Sequence, residues 1–358
     1  MKTQNNFFNL NLKSQNENYK KKIPFELSDY VLEKYFNETG ARQGWGKINA
    51  AVLAVSGGGD SVALLWMFSK FFKGKIFVVH VNHGIRDKEA DEDENFAAEI
   101  SHKFGAEFFS EKINVNTQKL KGESIEAAAR RLRREIICKT VQTKIKNSDS
   151  IFLGHNRDDL AETVLFNILR GSGLRGSVGM TESTKYKNLK FYRPLLGLRR
   201  EFLREILKVR GISWREDSTN NDENYTRNFI RLNLIPLINQ KINSSAAQHL
   251  AAFGEDMRKF RKLEENQGSA LLEKSKESET PNLILSRKIL KTFTPEQRAL
   301  IIRTAGRNLD LKTLTRGRCE ELSNLIAKNS NFIFQWCSGM TIKSDRDKII
   351  FYDKRNEN

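Results

Sequence analysis

Two short stretches carry the residue types that chemistry on a phosphate needs. The first is Ser56-Gly57-Gly58-Gly59-Asp60-Ser61, between the apolar run Ala50–Val55 and the Gly- and Pro-free run Val62–Phe68. That order reads as strand, glycine turn, helix. Consecutive glycines expose backbone N–H groups, because no Cβ blocks positive φ or close approach. Those amides, two serine hydroxyls and the positive end of the helix converge on one point, which suits a phosphate. Asp60 among them makes sense chiefly as a holder of Mg²⁺. The loop has neither the Gly-Lys-Ser/Thr ending of a Walker loop nor the G-x-G-x-x-G spacing of a dinucleotide fold. A tight turn with its glycines serving geometry alone is the plain alternative.

The second stretch is Leu153-Gly154-His155-Asn156-Arg157-Asp158-Asp159-Leu160-Ala161-Glu162-Thr163. His155, Asp159 and Glu162 are spaced four and three apart, which puts them on one helix face. Facing the glycine loop, Asp159 would share Mg²⁺ with Asp60, and His155 would touch the phosphates. Helix capping by acidic residues near a positive dipole end is the alternative. Upstream, Glu123–Arg134 crowds four arginines into five positions. Arg130 and Arg133 share a face and can point together at phosphate. A solvated basic helix is equally compatible with that spacing.

Positioning these residues requires a regular frame. Short apolar runs at 50–55, 75–81, 107–113 and 150–154 read as strands, and 61–72, 88–104, 124–146 and 158–170 as helices. Such alternation implies an α/β fold: a Rossmann-like parallel sheet with helices on both faces. Ligands then sit at the carboxyl ends of the strands, where the glycine loop, His80–His83 and His155 all fall. Asn82-His83-Gly84 is also compatible with a plain polar turn. The acidic stretch Asp87–Glu94 reads as a solvated helix start with Asp87 as N-cap.

The remainder divides by composition. Residues 1–47 read as an Asn- and Lys-rich tail with a lead-in helix from Phe25, and 48–234 as the catalytic domain. Within it, Arg170–Gly176 is a glycine- and arginine-rich loop, and 191–234 is basic with Tyr192, Trp214, Tyr225 and Phe229 embedded. Aromatics among arginines suit a splayed nucleobase; for Trp214, closure of the core between domains is the simpler reading. A helical linker follows at 235–280, then a small α+β domain at 281–358. In the latter, Thr294-Pro295-Glu296-Gln297 reads as a capping box, Thr315–Lys328 as a helix and Met340–Tyr352 as a hairpin. A formal charge of +17, from 61 basic and 44 acidic residues, points to an anionic partner. No apolar run approaches a membrane span and the N-terminus lacks a signal-peptide core, so nucleic acid is favoured over a membrane. Cys138, Cys319 and Cys337 form no C-x-x-C pair, which fits a reducing cytoplasm.

The glycine loop resembles the SGGxDS pyrophosphate-binding loop of the N-type ATP pyrophosphatases (the PP-loop superfamily). The ordered set SGGGDS, HVNHGIR, EAAARRLRR, LGHNRDDLAET, ILRGSGLRG, YRPLL and EDSTNNDENYTRNFIR narrows the resemblance. Tyr192–Leu196, with Asp217–Asn220 and Tyr225–Arg231, is the discriminating pair. Over roughly 48–240 the chain resembles the tRNA(Ile)-lysidine synthetases, and more loosely beyond. The resemblance implies a ligase using ATP and Mg²⁺. The wobble cytidine of tRNA(Ile) with a CAU anticodon is adenylated at its C2 oxygen, releasing pyrophosphate, and free L-lysine then displaces AMP. Carried over, Ser56, Gly57, Gly58, Asp60 and Ser61 hold pyrophosphate and metal, Gly59 being a position the family varies. Val81 and His83 neighbour the adenine. Arg133, His155 and Asp159 surround the activated intermediate, and Asp60 and Asp159 ligate the metal. Glu162 helps select lysine and Arg227 contacts the reacting nucleotide or phosphate, with Arg130, Arg193, Asn228 and Arg231 on the tRNA and lysine side. The C-terminal unit resembles the first tRNA-holding domain of the family; longer members carry a second. The resemblance admits a homodimer.

Two rivals remain in view. A tRNA thiolase of the same superfamily needs cysteines near the nucleotide, and Cys138 lies in a helix body without a partner. An RNA-binding protein with a vestigial site is opposed by the intact Asp60, Asp159 and serines.

Overall fold

The computed structural model describes residues 24–82, 87–145, 148–216, 226–279, 282–336 and 339–353. His83, Asp217–Tyr225, Cys337 and the N-terminal tail lie outside the described residues. The chain divides into two compact units, Met1–Glu255 and Asp256–Asn358.

The first unit alternates strand and helix as its apolar pattern requires. In order it contains α1 (Asp29–Gln43), β1 (Ala50–Ala54), α2 (Gly59–Phe71), β2 (Lys75–Asn82), α3 (Asp87–Lys103), β3 (Glu107–Lys112), α4 (Val115–Gln118), α5 (Ile125–Lys144), β4 (Ser150–Leu153) and α6 (Arg157–Leu169). Then come β5 (Ser183–Tyr186), β6 (Leu189–Tyr192), α7 (Arg200–Val209), α8 (Thr226–Phe229), α9 (Ile235–Lys241) and α10 (Ala246–Ser275). The sheet order is β3-β2-β1-β4-β6-β5, parallel throughout except for the β5–β6 hairpin at one edge. The four strands and four helices expected across 50–170 are all present, so this unit is the α/β sheet the sequence implies.

Alternation along each strand feeds two cores. Ala51 and Leu53 of β1 with Phe152 of β4 pack against Phe36, Phe68 and Leu203 from α1, α2 and α7. Val52, Val79 and Ile151 pack on the opposite face against Ile137, Cys138 and Val141 of α5. Trp45, Phe68, Phe152 and Tyr192 interlock, with centroids 5.5 Å, 4.6 Å and 5.2 Å apart along the chain of contacts. These rings fix the end of β4, from which His155 is displayed, and the end of β6, which precedes Arg193.

The division between units falls inside α10. Residues 235–280, read as one helical linker, form α9, α10 and a short strand, β7 (Lys276–Ser278). The last described residues of that span are thus a helix end at Ser275 followed by sheet pairing of Lys276–Ser278. The second unit continues with β8 (Leu283–Ser286), α11 (Arg287–Thr292), α12 (Pro295–Asn308), α13 (Arg316–Ala327), β9 (Ile333–Gln335), β10 (Met340–Ser344) and β11 (Lys348–Asp353). Its sheet is antiparallel in the order β7-β8-β11-β10-β9. The capping box forms at Thr294 with Gln297, and β10 and β11 make the hairpin read from the alternation.

Candidate active site

Each glycine of the loop after β1 answers a different neighbour. Gly57 has φ +92°, and a Cβ there would also meet the Phe96 ring at 3.3 Å. Gly58 is the extended N-cap of α2 and supplies no side-chain cap, so the first-turn amides have no side-chain acceptor. Gly59 lies under Trp214, whose Cδ1 would stand 3.3 Å from a Cβ. Trp214 packs at the margin of the first unit's core and covers the glycine loop at Gly59. The serines brace the turn: Ser61 Oγ donates to Gly58 O at 2.8 Å and accepts from Ser56 N at 3.2 Å. The strap Trp214–Glu216 ties the loop down from outside. Arg215 N donates to Gly57 O at 3.0 Å, while its guanidinium pairs with Glu92 at 3.0 Å and with Asp93.

The acidic helix start lies directly against this loop. A Cβ at Gly154 would come within 3.1 Å of the Asp60 carbonyl oxygen, so the end of β4 passes closely over the first turn of α2. Asn156 and Asp159 form a reciprocal capping box at the start of α6, with bonds of 2.9 Å and 3.0 Å. The capping reading holds, and it leaves the second oxygen of Asp159 for a partner outside the box. There Arg200 Nη2 reaches Asp159 Oδ1 at 2.9 Å and Glu162 Oε1 at 3.1 Å, and its Nε stands 3.6 Å from Asp60 Oδ2. Arg227 Nε reaches Glu162 Oε2 at 3.2 Å, and its Nη2 lies 3.7 Å from Asp159 Oδ1. Glu162 is only 2% exposed.

Burial and the shared charges set the proton affinities. Burial, reinforced by the Asp159 charge, pushes Asp60 up to about 6. Burial also raises Glu162, again with help from Asp159. On Asp159 burial acts upward, but the guanidiniums of Arg200 and Arg227 overcome it and hold the group below the usual carboxylate range. His155 keeps part of its surface open while its Nδ1 is enclosed without a partner, and burial pushes the ring down to about 3. It precedes α6 rather than sharing its face with Asp159 and Glu162, so the one-face reading applies to the two carboxylates only.

The remaining candidates are spread around this centre. Arg130 projects from α5 with an exposed side chain, and its charge is felt by Arg227 and Asp159. Arg133, also exposed, acts on His80, whose buried ring bonds Val55 O at 2.9 Å. Arg231 is half-buried within reach of Arg200, Glu162 and Asp159; it lies in Ile230–Leu234, where the helix from Thr226 to Lys241 widens to a π-turn. Asn228, three residues earlier, is half-buried, and Val81 packs between two apolar clusters. Arg193 is buried, with Nη1 donating to Thr181 O at 2.9 Å, so it ties the β6 end to the chain while its charge bears on His155.

No motif singles out Arg200. One signal is available: Arg199-Arg200 opens an amphipathic helix, and cations in a first turn oppose the helix dipole. A charge placed against that field needs a carboxylate nearby. The donor chemistry also suits a hard divalent cation: Asp60 Oδ1 is buried with no hydrogen-bond partner, and carboxylate oxygen is the ligand Mg²⁺ takes. Asp159 has both oxygens engaged, and among the described residues no three acidic, His or Cys side chains converge as a ready metal cage.

The sequence from 29 to 238 matches the PP-loop domain family, more than half of the chain. The chain belongs to the PP-loop family. Within it, similarity runs to proteins named tRNA(Ile)-lysidine synthase. That of Clostridioides difficile is 35% identical over 211 residues, 58% of this chain and 45% of the relative. That of Thermus thermophilus is 36% identical over 226 residues, covering 62% and 42%, and that of Parabacteroides distasonis 38% over 209 residues, covering 58% and 45%. The matched stretch is less than half the length of these curated relatives. Among solved structures, the U34-tRNA thiolase NcsA of Methanococcus maripaludis with its [4Fe-4S] cluster aligns with a TM-score of 0.51 at 16% identity, covering 64% of this chain and 78% of that one. That likeness is one of fold.

Proposed function

We propose that this PP-loop protein is a tRNA(Ile)-lysidine synthetase. It would adenylate the C2 oxygen of the wobble cytidine in a CAU-anticodon tRNA(Ile) and then join lysine to that carbon. The observation that carries the reading is the convergence of Asp60, Asp159 and Glu162 on Arg200 beside an uncapped glycine loop. A phosphate-binding turn and a cation-selecting acidic wall then share one crevice. The names of the relatives support the same reading.

In the first step the cytidine C2 oxygen attacks the α-phosphorus of ATP and pyrophosphate leaves. The first-turn amides of α2, with Ser56 and Ser61 bracing the loop, hold the departing phosphates as their charge grows. Asp60, with Asp159 if its pairing loosens, would hold Mg²⁺, which neutralises charge on those phosphates. In the second step a lysine amine attacks C2, the C2–O bond to AMP breaks, and the nitrogen loses a proton. Glu162 and Asp159 attract the cationic lysine, and Arg227 balances the phosphate of the leaving AMP. His155 is neutral at physiological pH, so it orients by hydrogen bonding rather than by charge. Catalysis is then positioning and charge stabilisation.

Among the described residues, no cysteine stands at the glycine loop as a thiolase would need. Cys138 is buried in α5 among apolar side chains, and Cys319 belongs to the second unit. The test incubates the protein with ATP, Mg²⁺, labelled lysine and an unmodified tRNA(Ile) transcript. Label should enter the tRNA, fall at least a hundredfold with Asp60→Ala, and vanish when the wobble C is changed to U. Label indifferent to the wobble base contradicts the assignment.

A further inference from the structure

Among the described residues, Arg200 is the guanidinium that reaches all three carboxylates of the crevice, and its placement has a consequence for metal entry. The side chain leaves the first position of α7, where the helix dipole disfavours a cation. Its root is nevertheless fixed twice against α6. Arg200 N donates to Asp158 Oδ2 at 2.7 Å, and Arg157 N donates to Leu198 O at 2.8 Å. From that anchor the guanidinium bridges Asp159 and Glu162 with one nitrogen and approaches Asp60 with another. It therefore lies against Asp159 Oδ1 and beside Asp60 Oδ2, oxygens for which a divalent cation shared by the two groups would have to compete. Arg227 also reaches Asp159 and Glu162, Arg204 adds to the positive field at Asp60, and Arg231 adds to that at Glu162.

We infer that Arg200 is a resident counter-cation: it keeps free divalent metal off the acidic wall until nucleotide phosphates arrive with their own metal. Phosphate oxygens offer a guanidinium a bidentate partner at least as good as two separate carboxylates. A phosphate seated in the glycine loop would therefore draw Arg200 from Asp60 and Asp159 and open them to the metal. Arg200 thus governs the metal through these carboxylates and meets the phosphate only once it has left them. The inference rests on the reading of the crevice as a site for ATP and Mg²⁺, and adds the order of arrival.

The experiment follows Mn²⁺ binding by water-proton relaxation, which separates protein-bound metal from free ion and from MnATP. Wild-type protein without nucleotide should bind Mn²⁺ weakly, and with ATP it should take up metal. Without nucleotide, Arg200→Gln should bind Mn²⁺ at least tenfold more tightly than wild type, and adding Asp60→Asn should abolish the gain. Arg200→Lys keeps a charge but reaches fewer carboxylates, and should fall between the two. A folded Arg200→Gln protein with wild-type or weaker Mn²⁺ affinity overturns the inference; if that variant does not fold, Arg200→Lys at or below wild-type affinity does so. Wild-type protein that takes up no Mn²⁺ even with ATP contradicts the underlying reading of the crevice, and this inference with it.

Discussion

His155 and Asp60 both feel the charge of Asp159, and burial moves their proton affinities in opposite directions. The ring of His155 is pushed from the ordinary 6.5 to about 3, so folding favours its neutral form. The stability this supplies is fully present above pH 6.5 and is lost as pH falls toward 3. Asp60 is raised from 3.8 to about 6, so its contribution is full below pH 4 and is lost as pH rises through 6. The two groups oppose each other in the overlap. His155→Asn should therefore lose less melting temperature than wild type on acidification from pH 6.5 to 4, as read by circular dichroism. Parallel curves for the two proteins would contradict the assigned burial. Single residues were legible where spacing carried the signal, as in the pairing of Asp159 with Glu162. Arg200 was not, because its significance comes from three carboxylates on two other elements, brought to it only by the folded sheet.

At the scale of elements, the glycine loop shows how much local conformation the site demands. Gly57 combines positive φ with the Phe96 ring, whereas Gly59 sits at helical geometry under the edge of Trp214. Gly57→Ala should lower the unfolding free energy by about 1–2 kcal/mol from left-handed backbone strain alone. It should also weaken ATP binding, because the strained loop re-aims its amides. Gly59→Ala, with helix propensity in its favour, should cost clearly less in a denaturant titration. Equal losses would mean that the loop is shaped by Trp214 and not by φ. The alternating βα pattern was readable because periods of two and 3.6 differ sharply along 50–170. The β5–β6 hairpin was not. Its turn places Lys187 and Asn188 at φ 46° and 64°, without the Asn-Gly signature that marks such turns. The strap at Trp214–Glu216 was equally hidden: its hold on the loop is a backbone bond from Arg215 to Gly57, which residue type does not encode.

For the whole molecule, the two units differ in how their charge is used. The first gathers arginines and carboxylates into a crevice. The second buries Arg287 completely, and among the described residues its guanidinium bonds no carboxylate. The guanidinium donates to the carbonyls of Leu325, Ile326, Lys328, Ser330 and Asp345, tying the end of α13 to the β10–β11 turn. Caps and hairpin of this unit were legible as local chemistry, whereas Arg287 was one basic residue among 61 in the composition. A net charge of +17 over the chain fits an anionic partner, as the proposed function requires. The central claim is that the crevice cleaves ATP between its α and β phosphates in service of a bound tRNA. It is tested most directly by following α-labelled ATP with lysine and the CAU transcript. The account predicts labelled AMP formed only when that tRNA is present, with Asp60→Ala reducing it at least a hundredfold. Labelled ADP as the product, or AMP formed equally without tRNA or without Asp60, would contradict it.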